Sequence, residues 1–319
     1  MGLKILVTPT SLQPKKSSGA LEKLRAFSRD LVFNPTGKPL TEDELIPLLR
    51  DCDGFLAGLD FITKRVLDEC PNLKVISRYG VGYDRVDIAA STEKGIIVTN
   101  TPGANSEAVG ELTFALLLSV ARNIPALDQK TKEGQWVRST GMELKGKTIG
   151  ILGLGAIGKV VARCAKGFEM KVMAYDPYID LNYCAEQDIK CGTLDEIIES
   201  ADVISLHLPL NENTKHLINT ESIAKMKNGV IIINASRGGI IDEEAALDAL
   251  RSGKLGGMGL DAFEIEPPVG SPLLSFSNVV ATPHTGAHTE ESSTKMADMA
   301  VDTLIAVLTG EECSYIVNR

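Results

Sequence analysis

Short apolar runs alternate with amphipathic stretches along the whole chain. LKILVTP (3–9), DGFLAGL (53–59), LKVISRYG (73–80) and GIIVTNTP (95–102) have the length of buried strands. Between them, SGALEKLRAF (18–27), TEDELIPLLRD (41–51), ITKRVLDECP (62–71) and DIAASTEKG (87–95) place apolar residues at helical spacing. This alternation predicts βαβ units, a parallel sheet and right-handed crossovers. NSEAVGELTFALLLSVARNI (105–124) is apolar on most faces, which predicts a helix buried between two bodies. A polar loop, KEGQWVRSTGMELKGK (132–147), precedes a second strand series: TIGILG (148–153), KVMAYD (171–176), DVISLHLP (202–209), GVIIINAS (229–236), GGMGLDAF (256–263) and NVVATPH (278–284). A last helix is expected over about 288–309.

Composition narrows the classes. A chain of 319 residues has room for two domains. A net charge of -9 makes nucleic acid and anionic membrane poor partners, so no nucleic-acid or membrane partner is expected. An anionic ligand would need a few local arginines. The six cysteines form no CxxC pair and no metal-ligand spacing, so they read as small buried hydrophobes in a reducing compartment. The N-terminal apolar run is too short for a signal peptide, and Leu6 stands where a myristoylation signal wants Ser or Thr. LTFALLLSVA (112–121) is too short to span a bilayer. These readings give a cytoplasmic protein with no metal.

The segment TIGILGLGAIGKVVARCAKGFEMKVMAYDP carries G-x-G-x-x-G at Gly153, Gly155 and Gly158. An apolar strand precedes it, a helix follows, and the next strand ends in Asp176, 18 residues past Gly158. Gly153 makes the tight turn, Gly155 lets a pyrophosphate approach the backbone, and Gly158 lets helix and strand pack closely. The helix start at Ala156 and Ile157 offers N–H groups to the phosphates. Asp176 suits the ribose hydroxyls and repels a 2′-phosphate, which favours NAD over NADP. The fold class that follows is α/β with two doubly wound parallel-sheet domains. A Rossmann dinucleotide-binding domain (102–285) is inserted into a flavodoxin-like substrate domain (1–101 and 286–319), with long helices as the hinge.

A dinucleotide site beside a second domain suggests hydride transfer, and the hydroxyl proton then needs a base. There are four histidines. His216, in NENTKHLIN, reads as a surface residue. His207, at a strand end, reads as lining the cofactor pocket. His284 ends NVVATPH where the chain leaves the nucleotide domain, with His288 four residues on as the alternative. Glu266 and Arg237 also follow apolar strand runs, where an unused charge is expensive. A carboxylate beside His284 would orient the ring and stabilise its protonated form, and an arginine would bind a substrate carboxylate bidentately. A bare ion pair between Arg237 and Glu266 is the plainer alternative.

The order GLGAIG, Asp176, NASRGG with Arg237, LDAFEIEPP with Glu266 and TPHTGA with His284, together with SRYGVGYDRVDI and NTPGANSEAVGEL, resembles the D-isomer-specific 2-hydroxyacid dehydrogenases. Within them it is most similar to the D-3-phosphoglycerate dehydrogenase branch, over nearly the whole chain. The resemblance implies an NAD-dependent enzyme with Arg237, Glu266 and His284 as its catalytic residues. It implies a substrate loop at Arg78, Gly80, Val81 and Gly82. Further cofactor contacts are expected at Pro177, His207, Pro209, Thr214, Ala235, Ser236, Asp261 and Gly286. It implies a homodimer with the long helix at its contact. The first expected substrate is D-3-phosphoglycerate, oxidised to 3-phosphohydroxypyruvate in serine biosynthesis; a reductase of glyoxylate, hydroxypyruvate or another 2-keto acid is the alternative. A non-catalytic NAD(H)-sensing protein is the contrast from another class. Two departures matter. The chain stops at Arg319, so feedback through an added regulatory domain is not expected. Leu56-Ala57-Gly58-Leu59 stands where many of the branch carry a phosphate-binding arginine, which leaves Arg78, Arg138 and Lys132 as the cations to test.

Overall fold

In the computed structural model, which describes residues 2–12, 14 and 18–319, the chain divides into two compact units. One is Met1–Asn105 with His288–Arg319, the other Ser106–Ala287. The first unit runs β1 (Lys4–Val7), α1 (Gly19–Phe27), β2 (Asp30–Phe33), α2 (Glu42–Leu49), β3 (Gly54–Ala57), α3 (Lys64–Asp68), β4 (Val75–Arg78), α4 (Ile88–Glu93) and β5 (Ile97–Thr99). Its sheet is ordered β2-β1-β3-β4-β5, all parallel, which is the flavodoxin-like order. Helix starts are written locally: at α2, the Thr41 side chain accepts the Glu44 N–H while Glu44 reaches back to the Thr41 N–H.

The second unit begins with α5 (Ser106–Ala121) and α6 (Ile124–Lys132). It continues β6 (Thr148–Leu152), α7 (Ala156–Gly167), β7 (Lys171–Tyr175), α8 (Leu181–Glu186), β8 (Lys190–Cys191), α9 (Leu194–Ser200), β9 (Val203–Leu206), α10 (Thr220–Lys225), β10 (Val230–Asn234), α11 (Glu243–Arg251), β11 (Leu255–Leu260) and β12 (Val279–Ala281). The sheet order is β12-β11-β10-β9-β6-β7-β8, again parallel throughout. Counted from β6, this is the 3-2-1-4-5-6 order of a dinucleotide fold with one strand added. Glycines let α5 pack tightly: a Cβ on Gly110 would lie 2.4 Å from Val160, and one on Gly259 would lie 2.9 Å from Leu116. The single helix expected over 105–124 ends at Ala121. Asn123, with φ 54°, turns the chain, and α6 restarts at Ile124 and runs up to the start of the stretch read as loop.

The last helix, α12 (Glu290–Thr309), belongs to the first unit. Ala300, Val301 and Leu304 bury with Ile5, Leu56 and Val75 of its sheet, and the Ser77 hydroxyl donates to the Ala300 carbonyl at 2.8 Å. Fully burying one such leucine or isoleucine stabilises by roughly 1.5–3 kcal/mol. The tail then pairs with β5, Val317 N–H to Val98 O at 2.9 Å. No helix among the described residues is long and apolar enough to cross a membrane. No metal-holding cluster of His, Cys, Asp and Glu is found among them.

Candidate active site

Three neighbouring strands of the second unit, β10, β11 and β12, deliver Arg237, Glu266 and His284 from their carboxyl ends, where ligands bind in open α/β sheets. After β10 the buried Asn234 shapes the turn. Its side-chain oxygen accepts the Ser236 N–H and hydroxyl at 3.0 and 2.8 Å, and its amide donates to the Arg237 carbonyl at 2.8 Å. Arg237 is extended and half-buried, and its Nη1 donates to Ser236 O at 2.8 Å. Gly238 then passes against the next loop so closely that a Cβ would lie 1.8 Å from the Phe263 carbonyl carbon.

After β11 the chain runs through Phe263 to Glu266. Oε1 of Glu266 accepts the Phe263 N–H at 3.3 Å and meets His284 Nδ1 at 2.8 Å. Both side chains of this pair are about a quarter exposed, 28% for His284 and 21% for Glu266. His284 has φ 51°, a left-handed backbone that few non-glycine residues adopt. A buried carboxylate holds that conformation. Asp261, 2% exposed, accepts the Thr282 hydroxyl at 2.6 Å and the Thr285 and Gly286 N–H groups at 2.8 Å each. Asp261 and Gly286, expected as cofactor contacts, are thus engaged with each other in fixing the His284 turn. Nothing in the apolar pattern pointed to that clasp. His288, the alternative to His284, is exposed, precedes α12 and belongs to the first unit.

The glycine loop has the local shape a dinucleotide requires. Gly153 has φ 100°, and a Cβ there would lie 2.6 Å from the His207 carbonyl oxygen. A Cβ on Gly158 would lie 2.1 Å from Gly153 O, whereas one on Gly155 would meet no protein atom within 4 Å. Ala156 and Ile157 open α7 beside that open position. Asp176 accepts Leu154 N–H with one oxygen and Tyr178 N–H with the other, both at 2.8 Å, so the acid expected at the ribose is also tied to the glycine loop. Pro177 is exposed next to it. His207 Nε2 meets the Ser205 hydroxyl at 2.8 Å, and burial pushes the ring down to about 4, so it stands neutral. The Thr214 hydroxyl donates to the Pro209 carbonyl at 2.6 Å and folds the loop after β9. Ala235 and Ser236 form the turn after β10.

The Arg78 loop belongs to the first unit. Arg78 is 3% exposed, and its guanidinium donates to Gly82 O at 3.1 Å and Ala57 O at 3.2 Å. It works as the anchor of its own loop, which weakens its reading as a substrate cation. Gly80 has φ 146°, and the Val81 carbonyl accepts the Asn100 amide at 2.8 Å. The N–H groups of Val81 and Gly82 donate to no protein atom among the described residues. Arg138 and Lys132 are exposed in the second unit, Lys132 paired with Asp128 at 2.6 Å.

Comparison with known proteins agrees with this geometry. Residues 114–286 match the family described as D-isomer specific 2-hydroxyacid dehydrogenase, NAD binding domain. The chain is 44% identical over 283 residues to D-3-phosphoglycerate dehydrogenase of Methanocaldococcus jannaschii, covering 88% of this chain but 54% of that protein, about half its length. It is 43% identical to glyoxylate reductase of Thermofilum pendens over 99% of this chain and 94% of that one. Among solved structures, D-lactate dehydrogenase from Aquifex aeolicus complexed with NAD and lactic acid superposes with a TM-score of 0.87 at 30% identity, over 99% of both chains. With a parallel sheet of dinucleotide order, a glycine loop whose Gly153 and Gly158 leave no room for a side chain and matches of this extent, the chain belongs to the D-isomer specific 2-hydroxyacid dehydrogenases, a family of NAD-binding enzymes.

Proposed function

We propose that the protein interconverts a small D-2-hydroxy acid and its 2-keto acid, with an unphosphorylated 2-keto acid such as glyoxylate or hydroxypyruvate as the preferred substrate. The His284–Glu266 pair carries the chemical reading. NAD(H), when bound at Gly153–Gly158 and Asp176, supplies or takes up the hydride. His284 takes the hydroxyl proton in oxidation and returns it in reduction. Its Nδ1 is held by Glu266, which leaves Nε2 for the substrate. Arg237 binds the substrate carboxylate and polarises the reacting oxygen. Val81 and Gly82 offer N–H groups of a kind that suits a carboxylate.

The choice of an unphosphorylated substrate rests on Arg78. A phosphate carries nearly two negative charges and needs fixed cationic partners. Ala57, Gly58 and Leu59 supply none, and Arg78 is turned into its own loop. The second reading, D-3-phosphoglycerate in serine biosynthesis, is favoured by the 44% identity to a protein of that name. Loss of NADH absorbance with glyoxylate, hydroxypyruvate and 3-phosphohydroxypyruvate separates them. A kcat/KM highest on 3-phosphohydroxypyruvate overturns our preference, and binding of NADH without turnover on any 2-keto acid favours the sensor alternative. We also propose a cytoplasmic homodimer. Trp136, 85% exposed, lies with Ile124 and Val137 on α6 and the loop after it, as large apolar groups at a contact would. All six cysteines are free thiols, which suits a reducing compartment.

A further inference from the structure

The loop after β11 carries two glutamates, two residues apart, and each meets a histidine. Glu266 meets His284. Glu264 meets His216, Nε2 to Oε1, at 3.0 Å, with side chains 39% and 34% exposed. The sequence suggested a plain surface role for His216. Instead its backbone is left-handed, with φ 50°, almost the angle of His284. Its N–H donates to Gly239 O at 2.8 Å, inside the 3₁₀ turn that follows Arg237, and its carbonyl accepts the Asn219 amide at 3.0 Å. Glu264 and Glu243 also exchange bonds. The Glu264 N–H donates to the Glu243 carboxylate at 2.8 Å, and the Glu243 N–H to the Glu264 carboxylate at 3.3 Å. Burial holds the Glu243 carboxyl above the usual carboxylate range, against the opposing pull of the Glu264 N–H.

These contacts join three loops at one place. His216 comes from the loop after β9, Gly238 and Glu243 from the segment after β10, and Phe263–Glu266 from the loop after β11. Gly238 fixes the closest approach of the last two, because its Cα lies against the Phe263–Glu264 backbone. Backbone contact alone sets a minimum separation. It does not stop the loops from parting, and the polar contacts do.

We propose that His216, Glu264 and Glu243 form a latch that sets Glu266 relative to Arg237, with His216 as a positioning residue for the reaction. His216 touches no reacting atom in this assignment. It acts through Glu264, two residues from Glu266, and through Gly239, two residues from Arg237. The kinetic test rests on the activity proposed above; a structural test does not.

Two substitutions separate the latch from the backbone. His216→Asn suits the left-handed backbone but is too short to reach Glu264. His216→Gln keeps a donor at the reach of Nε2. H216N is expected to lower kcat on the best 2-keto acid about tenfold, less than the roughly 10²-fold of a 1 Å misplacement, with unchanged KM for NADH and unchanged thermal midpoint. H216Q is expected to restore most of the rate. E264Q combined with H216N should cost little more than H216N alone. Independently of turnover, hydrogen exchange of the Phe263–Glu266 amides should be faster in H216N and near wild type in H216Q. Equal rates and equal exchange in H216N and wild type overturn the latch, as does an H216Q protein as impaired as H216N. A wild-type protein that turns over no 2-keto acid defeats the activity reading, and the exchange data then decide the latch alone.

Discussion

His207 and His284 stand beyond the carboxyl ends of two strands of one sheet, β9 and β12, and the two ends treat an imidazole in opposite ways. His207 lies in the half that carries the glycine loop. Its ring meets a serine hydroxyl, and burial pushes it down to about 4. His284 lies in the half that carries Arg237 and Glu266, is partly exposed, and holds a carboxylate at 2.8 Å. The surroundings of His207 keep its ring neutral, which suits packing against an apolar ring. Those of His284 keep charged groups together near solvent, which suits moving a proton. Arginine shows the same contrast. Arg78 ends β4, buried and bonded to its own loop, whereas Arg237 is half-buried on a turn shaped for it.

The sharpest test of this contrast is His284→Asn. Turnover should fall by roughly 10²-fold or more, the size of general acid–base contributions, with NADH affinity unchanged by fluorescence titration. Near-normal turnover would transfer the role to another group and erase the difference between the two halves.

The next effect concerns stability in acid. His207 has its proton affinity lowered on folding, so the unfolded chain takes up a proton below about pH 6.5 while the native ring does not until about pH 4. Its contribution is therefore fully present above pH 6.5 and is lost as pH falls from there to about 4. The loss is on the order of 3 kcal/mol by linkage. Urea midpoints of His207→Asn should fall less steeply over that window than those of wild type. Parallel curves would show that His207 is hydrated in solution.

The smallest expected effects come from the two arginines. Arg237→Lys keeps the charge and loses the planar fork. It should raise KM for the keto acid and lower kcat, reducing kcat/KM about tenfold, as loss of ~1.4 kcal/mol of transition-state binding would, with the thermal midpoint unmoved. Arg78→Lys should do the reverse, lowering the thermal midpoint by about 2–4 °C and weakening glyoxylate and 3-phosphohydroxypyruvate equally. A selective loss on the phosphorylated substrate would return Arg78 to the binding site.

Much of this was legible in the chain because parallel strands buried on both faces write themselves as continuous apolar runs. The strands that escaped are edges. β2, DLVF, is half-exposed, and β8 is two residues long, so neither repeats enough to register. The charged candidate residues stand out in the sequence because each follows such a run. The devices that fix them could not. Asp261 looks like any strand-end acid, and Gly238 like any glycine of an RGG turn. His216 sits in a polar segment whose partners are 27 and 48 residues away, Glu243 through Glu264 and Glu264 directly. Close approach and side-chain pairing are properties of the folded chain, and local periodicity does not encode them.

The placement of α12 bears on how the chain is made. The second unit is one continuous stretch, Ser106–Ala287, but the first is completed only by His288–Arg319. Until that helix has left the ribosome, Ile5, Leu56 and Val75 lack the Val301 and Leu304 side chains that cover them, and β5 lacks the tail that pairs with it. The unit that is begun before the second is therefore finished after it. During translation its open sheet face and unpaired edge are the exposed, aggregation-prone surface, and the first unit is expected to depend on holdase protection longer than the second.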